Sequence, residues 1–188
     1  VAKSAYEKLV ADYLSGSQTK FTFFWVHTSS DDRLGKECLS QWFPAPFEAS
    51  GDVYLTAEHW MMAEKARLFD DEASRQRILE APTPADAKRL GREVLGFDNA
   101  KWVSARVGVV TQGSLLKFTQ HAPLRDYLLS TGDSVLVEAS PHDRVWGIGL
   151  SSDDDRASDP TQWPGLNLLG FILMDVRASF QSVQPTPP

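Results

Sequence analysis

The sequence predicts a mainly α fold with a small β element, built as a single compact domain. Apolar residues recur at helical spacing in segment after segment, some of them marked by a capping Thr, a first-turn Pro or a terminating Gly. Only two runs, "KFTFFWVH" at 20–27 and "SVLVEAS" at 134–140, are β-rich. The chain has 188 residues and 42% hydrophobic content, enough for one real core, and shows no internal repeat.

The elements follow in order. Residues 1–20 form a helical extension, with Ala5, Leu9 and Val10 on one side of a helix over 4–14. Residues 21–180 are the main domain, opening on the aromatic strand that ends near Val26. The stretch "TSSDDRLGKECLSQWFPAPFEASGD" is rich in Ser, Asp, Gly and Pro and reads as a long irregular connection. Thr56 caps a helix over 57–70; "ASRQRILEA" and "PADAKRLGREV" follow as short helices, the second with Pro84 in its first turn. "NAKWVSARVGVVTQGSLLKFTQH" reads as a longer helix, although "ARVGVV" also fits a strand. "APLRDYLLSTGD" is a helix stopped by Gly132 before the second β run. An acidic surface loop, "SSDDDRASDPTQWPG", precedes a last apolar helix, "LNLLGFILMDVRASF", and residues 181–188 read as a disordered tail.

Composition narrows the function classes. The net charge is −6 and the 19 Lys and Arg are dispersed, which argues against a surface built to grip duplex phosphates. An enzyme acting on one extruded base needs only a pocket, so a nucleic-acid substrate stays open. No apolar run approaches the ~20 residues that span a bilayer. A soluble protein of the cytoplasm is expected, with the nucleus also open, and no stable protein partner is evident. Cys38 is the only cysteine and the four histidines are scattered, so no disulfide, metal site or cofactor is expected.

The helix "TAEHWMMAEKARLFDD" carries the chemistry. With Ala57 as zero and about 100° per residue, Lys65 falls near 80° and Glu58 near 100°, between Met61 near 40° and Met62 near 140°. Glu64, Arg67, Asp70 and Asp71 take the opposite side. Two charges on an apolar arc must be paired or face a polar cavity. At ~1.5 Å rise per residue their Cα atoms lie about 10 Å apart, suited to converging on a ligand; separate structural pairings are the alternative. A partly desolvated Glu58 fits a general acid or base, and a Lys65 of lowered pKa fits a nucleophile toward a masked carbonyl.

A second cluster lies in "VLVEASPHDRVWGIGL". Gly147 and Gly149 lack the third glycine of a dinucleotide fingerprint but permit close backbone approach to a ligand. Trp146 offers a stacking face and Asp143 an acid; a core Trp and a plain turn is the other reading. Trp25 and Trp42 read as core, and His27 as a polar residue at a strand end. Asn167 and Gly170, near the start of the last helix, could offer an amide and N–H groups to a phosphate or base.

Seven blocks, "FFWVHTSS", "LSQWFPAPF", "YLTAEHWMMAEKARLF", "AKRLGREV", "LLKFTQHAPLRDYLLSTG", "LVEASPHDRVWGIGL" and "WPGLNLLGFILMDVR", occur in the order seen in the NADAR (YbiA-like) family, which the chain resembles over nearly residues 21 to 178. The resemblance implies a mainly helical fold with a small β element and N-glycosidase activity. Its substrates would be ADP-ribose on the amino group of guanine, in single-stranded DNA or RNA, or ribosylamine intermediates of riboflavin biosynthesis. It casts Glu58 as the catalytic glutamate, Lys65 as the lysine of the same block and Asp143 as an acid on the ribose side with Trp146, Gly147 and Gly149. Phe24, Ser40 and Trp42 would shape the pocket and Asn167 would complete it, with His27 a further candidate for substrate contact; Arg92 and Lys117 would take phosphates. Val26 stands where many members carry glycine, which leaves the roles of Trp25 and His27 open. A non-catalytic ADP-ribose-binding module is the rival of a different class.

Overall fold

A computed structural model of the chain describes residues 2–26 and 34–183, so His27 and the tail beyond 183 lie outside the described residues. Seven α-helices are described: α1 (Ala2–Leu14), α2 (Ala57–Leu68), α3 (Glu72–Leu79), α4 (Pro84–Arg92), α5 (Asn99–Gln120), α6 (Ala122–Ser130) and α7 (Leu168–Val183). Four short strands accompany them: β1 (Phe21–Phe24), β2 (Phe47–Ala49), β3 (Asp52–Tyr54) and β4 (Val135–Glu138). The mainly α class with a small β element is therefore what the chain adopts. The chain divides into two units, residues 1–40 with 123–188, and residues 41–122.

In the first unit β1 and β4 pair in parallel, with Phe21 opposite Val135 and Phe24 opposite Glu138. Alternation along β4 sends Val135 and Val137 into a core with Leu9, Ile148, Trp163 and Phe171, against which Phe21 and Phe23 also pack. Helix α7 lies along β4 and buries Leu169, Ile172 and Leu173, each contributing roughly 1.5–3 kcal/mol of burial. Just past its middle Arg177 donates to the Thr131 hydroxyl at 2.7 Å and twice to the Ser134 carbonyl at 3.1 Å. The acidic 151–165 stretch is more ordered than a surface loop: it contains two 3-10 turns, Asp155–Ser158 and Pro160–Gln162. Trp163 is buried there and donates to the Ala157 carbonyl at 2.9 Å, a bond that closes the stretch onto the core.

In the second unit the expected irregular connection holds a hairpin. β2 and β3 pair antiparallel around Ser50 and Gly51, whose φ values of 53° and 88° match a tight hairpin turn. Strands of three residues are too short to show alternation, so "ASGD" was the only available cue. The hairpin stacks Phe47 on Tyr54 at 5.7 Å, and Tyr54 meets Trp60 edge-on at 5.0 Å. Trp60 lies so close to Gly113 of α5 that a Cβ there would come 2.3 Å from its ring. Helix α5 runs unbroken through "ARVGVV", which settles that segment as helix.

Helix α2 departs from the two-sided picture. Residues 57–63 are all buried, because α3, α4, α5 and β3 surround them. Leu68 is only half-buried, and Asp71, expected on the solvent side, is buried as the cap of α3, accepting from the Ser74 and Leu95 N–H groups at 3.0 and 2.9 Å. Thr56 caps α2 as expected, accepting from the His59 N–H. The His59 ring is spanned by two bonds, 3.0 Å to the Ala81 carbonyl and 2.8 Å to the Thr56 hydroxyl. A carbonyl only accepts, so Nε2 carries the proton and neutral Nδ1 accepts from Thr56.

Burial lowers the His59 pKa, with the Ala81 carbonyl pulling the other way. The unfolded chain takes up this proton near pH 6.5 and the folded chain only below it, so stability is full above about 6.5 and falls as pH drops. Urea unfolding between about pH 7.5 and 5 should show that fall, with a shallower slope in His59→Gln. Parallel slopes in the two proteins would remove His59 as its source.

Candidate active site

Glu58 sits in the first turn of α2, where the helix dipole favours a carboxylate. It is 3% exposed. Its N–H donates to the Gln41 carbonyl at 3.0 Å, and the next residue, Trp42, donates its indole N–H to Glu58 Oε2 at 3.2 Å. Main chain and side chain of one short segment therefore hold the start of α2 and its carboxylate together. Trp42 is half-buried, and the Lys88 ammonium of α4 lies 5.8 Å from its ring centre. Lys88 was missed by helix-periodicity reasoning, which treats each helix alone. The available cue was packing: Gly91, one turn on from Lys88, accepts Met62, one turn on from Glu58, so tightly that a Cβ would meet its sulfur at 2.1 Å.

Lys65 has a different surround. Its ammonium donates to the Gly91 carbonyl at 2.7 Å and lies 4.4 Å above the Phe97 ring and 5.9 Å from that of Trp102. Burial lowers its pKa, helped by the Arg92 guanidinium, so the expected direction is present. Arg92 itself is exposed. Lys117, expected at a phosphate, is an interior residue: it is 1% exposed, with its ammonium 5.6 Å from Phe43 and 5.2 Å from Phe118.

The other expected site residues belong to the first unit. Asp143 Oδ1 accepts from the Val145 and Trp146 N–H groups, each at 2.8 Å, and so shapes the turn that presents half-buried Trp146. Gly147 is required by crowding, since a Cβ would fall 2.7 Å from the Glu138 carbonyl oxygen; Gly149 has φ 74°. Phe24 and Ser40 are buried, at the end of β1 and after the Lys36–Leu39 3-10 turn. Trp25 is 44% exposed and meets His142 edge-on at 6.1 Å, so it is not core.

Four N–H groups at the start of α7 are engaged within the protein. The N–H groups of Leu166, Asn167, Leu168 and Leu169 donate to the carbonyls of Arg144, Gly147, Val145 and Trp146. The fully buried Asn167 side chain donates to the Leu136 carbonyl at 2.9 Å and accepts from the Glu138 N–H at 3.0 Å. Its φ of 50° is a left-handed value that Asn tolerates better than most residues. Gly170 is needed for packing, because a Cβ would stand 2.1 Å from the Leu136 carbonyl.

The family model of the NADAR domain matches residues 23–181. An N-glycosidase of Acanthamoeba polyphaga mimivirus is 40% identical over 167 residues, 86% of this chain and 97% of that protein. The N-glycosidase YbiA of Escherichia coli is 32% identical over 156 residues, 83% and 87% of the two chains. A riboflavin biosynthesis protein of Vibrio vulnificus is 35% identical over 147 residues, 78% of this chain but 36% of that longer protein. The NMR structure of E. coli YbiA superposes with a TM-score of 0.70 at 29% identity, covering 90% of this chain and 91% of that one.

Asn167→Ala strands the Leu136 carbonyl and the Glu138 N–H in the interior and should cost about 2–4 kcal/mol in urea unfolding. A loss below about 1 kcal/mol would show that the amide does not hold β4.

Proposed function

The chain belongs to the NADAR family, and from that premise we propose that it is an N-glycosidase cleaving ribose C1 from an exocyclic nitrogen, with ADP-ribosylated guanine as substrate. The observation that carries this reading is Glu58: a carboxylate kept in the interior at a helix start, tied to Trp42, with the Lys88 ammonium 5.8 Å from the centre of that indole. A module that only binds ADP-ribose has no need of that arrangement.

The chemistry suits the groups. A ribosylamine opens to an imine as its ring oxygen takes a proton. A lysine amine adds to C1, the exocyclic nitrogen is protonated by Glu58 and departs, and a lysine imine remains. Water then adds at C1 and returns the sugar aldehyde and the free amine, with Glu58 carrying the protons. Two lysines compete for the amine. Lys65, the lysine of the Glu58 helix, has the lowered pKa, whereas Lys88 has the position beside Glu58's partner; we propose Lys88 because nearness to the acid counts first, with Lys65 as the alternative. Arg92, exposed at the end of α4, is the better-placed of the two proposed phosphate cations, since Lys117 is interior.

Riboflavin-pathway ribosylamines are the second reading, supported by the names of the Vibrio vulnificus protein and a similar maize protein. The acidic residues over 151–159 disfavour a duplex and suit a single-stranded or extruded base, or a small metabolite. Incubation with ADP-ribosylated guanine in single- and double-stranded DNA and RNA, beside a ribosylamine of the riboflavin pathway, separates the two. Release of ADP-ribose from none of the nucleic acids would reject the first.

Glu58→Gln should lower turnover roughly 10²- to 10⁴-fold while ADP-ribose binding survives; unchanged turnover would refute the acid/base role. Borohydride added during turnover should leave a sugar adduct on the peptide carrying Lys88, lost in Lys88→Ala. An adduct on Lys65 would reverse the assignment, and full activity in both alanine variants would remove the covalent step.

A further inference from the structure

At the end of α2 away from Glu58, the helix, the loop after α4 and the first turn of α5 bring three aromatic rings together. The Phe69 and Phe97 ring centres lie 5.4 Å apart, tilted by 58°. The Lys65 ammonium is 4.4 Å from the centre of Phe97 and 5.9 Å from that of Trp102, and the Lys101 ammonium is 5.3 Å from that of Phe69. All five residues belong to the second unit.

The cluster lies at the surface. Phe97 is 45% exposed although Lys65 stands over its ring, and Phe69 and Trp102 are half-buried. On the same loop Leu95 is 72% exposed. Apolar residues scattered singly over a surface need no explanation, but rings in mutual contact form a patch. Its make-up says what it fits. Protein–protein interfaces are depleted of lysine at their centres, whereas here an ammonium stands over each Phe ring. Rings interleaved with cations are the composition of surfaces that stack the bases of a single strand and hold its phosphates. Among the neighbouring acids, Asp98 accepts from the Lys101 N–H at 2.6 Å, and buried Asp71 is engaged by the Ser74 and Leu95 N–H groups. Asp70, the residue after Phe69, is exposed, against the cations Lys65, Arg92 and Lys101.

The patch also continues from the proposed site within one helix. Glu58 and Lys65 are seven residues apart on α2, about 10 Å at ~1.5 Å rise per residue. That is the length of about three stacked nucleotides at ~3.4 Å each.

On the reading that the target base sits in a strand, we infer that Phe97, with Phe69 and Trp102, is a stacking platform for the unpaired bases flanking the target, and that Lys101 takes a phosphate between them. Binding of an unmodified single strand follows, and it needs no turnover.

The test is fluorescence anisotropy with labelled single strands of roughly 12 nucleotides, DNA and RNA, and with their duplexes. Wild type should bind the single strands more tightly than the duplexes, with an affinity that falls as salt rises. Phe97→Ala should weaken this binding roughly 5- to 150-fold. Lys101→Ala should weaken it and make the log–log salt dependence shallower by about 0.7. Leu95→Glu, a change at a largely exposed side chain, should weaken binding at the wild-type unfolding midpoint, so the outcome does not hang on how well Phe97→Ala folds. A wild type that binds strands but releases no ADP-ribose rejects the reaction and keeps the platform. Release of ADP-ribose by wild type, with strand binding unchanged in Phe97→Ala and Leu95→Glu, overturns the platform and keeps the reaction. The inference also falls if wild type binds no single strand, binds duplex equally well, or instead forms a dimer that Phe97→Ala disperses.

Discussion

Taking the Glu58 carboxylate out of water costs several kcal/mol, and much of residues 41–122 is arranged so as to offset that cost. The helix start contributes its dipole, the Trp42 indole donates a hydrogen bond, and the Gln41 carbonyl takes the residue's own N–H. Around this seat α2 is packed on nearly every side, which is why its first two turns hold no solvent face. The burial of Glu58 is thus supplied by Trp60 against Gly113, Met62 against Gly91 and the hairpin aromatics.

The first unit solves a different problem, that of fixing a strand end and a turn without a large sheet. Two parallel strands are too few to define their own ends. Asn167 supplies what a third strand would, accepting from and donating to β4 with one amide. The N–H groups opening α7 take up the carbonyls of 144–147, so helix start and turn complete each other's hydrogen bonding. Glycines at 147, 165 and 170 allow the close approach that this exchange requires.

The helices were legible because their signals are local: Thr56, Pro84 and Gly132 mark ends through bonds or backbone angles that the residue itself supplies. Glu58 and Lys65 stood out for a related reason, as charges where α2 alone would want apolar groups. What escaped depends on neighbours. Asp71 lies on the polar side of the helical wheel yet is buried, because a cap is set by the next helix and by Leu95. Lys88 looks like one more surface charge until α4 is packed on α2. Trp25 reads as core among aromatic neighbours, but β1 ends before it and releases it outward. Asn167 was visible as unusual, while its actual partners, on β4, lie some thirty residues away.

The bond from Thr56 to His59 ties the start of the Glu58 helix to an imidazole that the fold keeps neutral. On the acid side, the scaffold under the carboxylate therefore begins to fail by its own titration. If Glu58 serves as the acid/base proposed for it, an acid limb in a rate profile reports at least two events, one in the chemistry and one in the support beneath it. Only a comparison with a protein whose support does not titrate assigns the limb to Glu58.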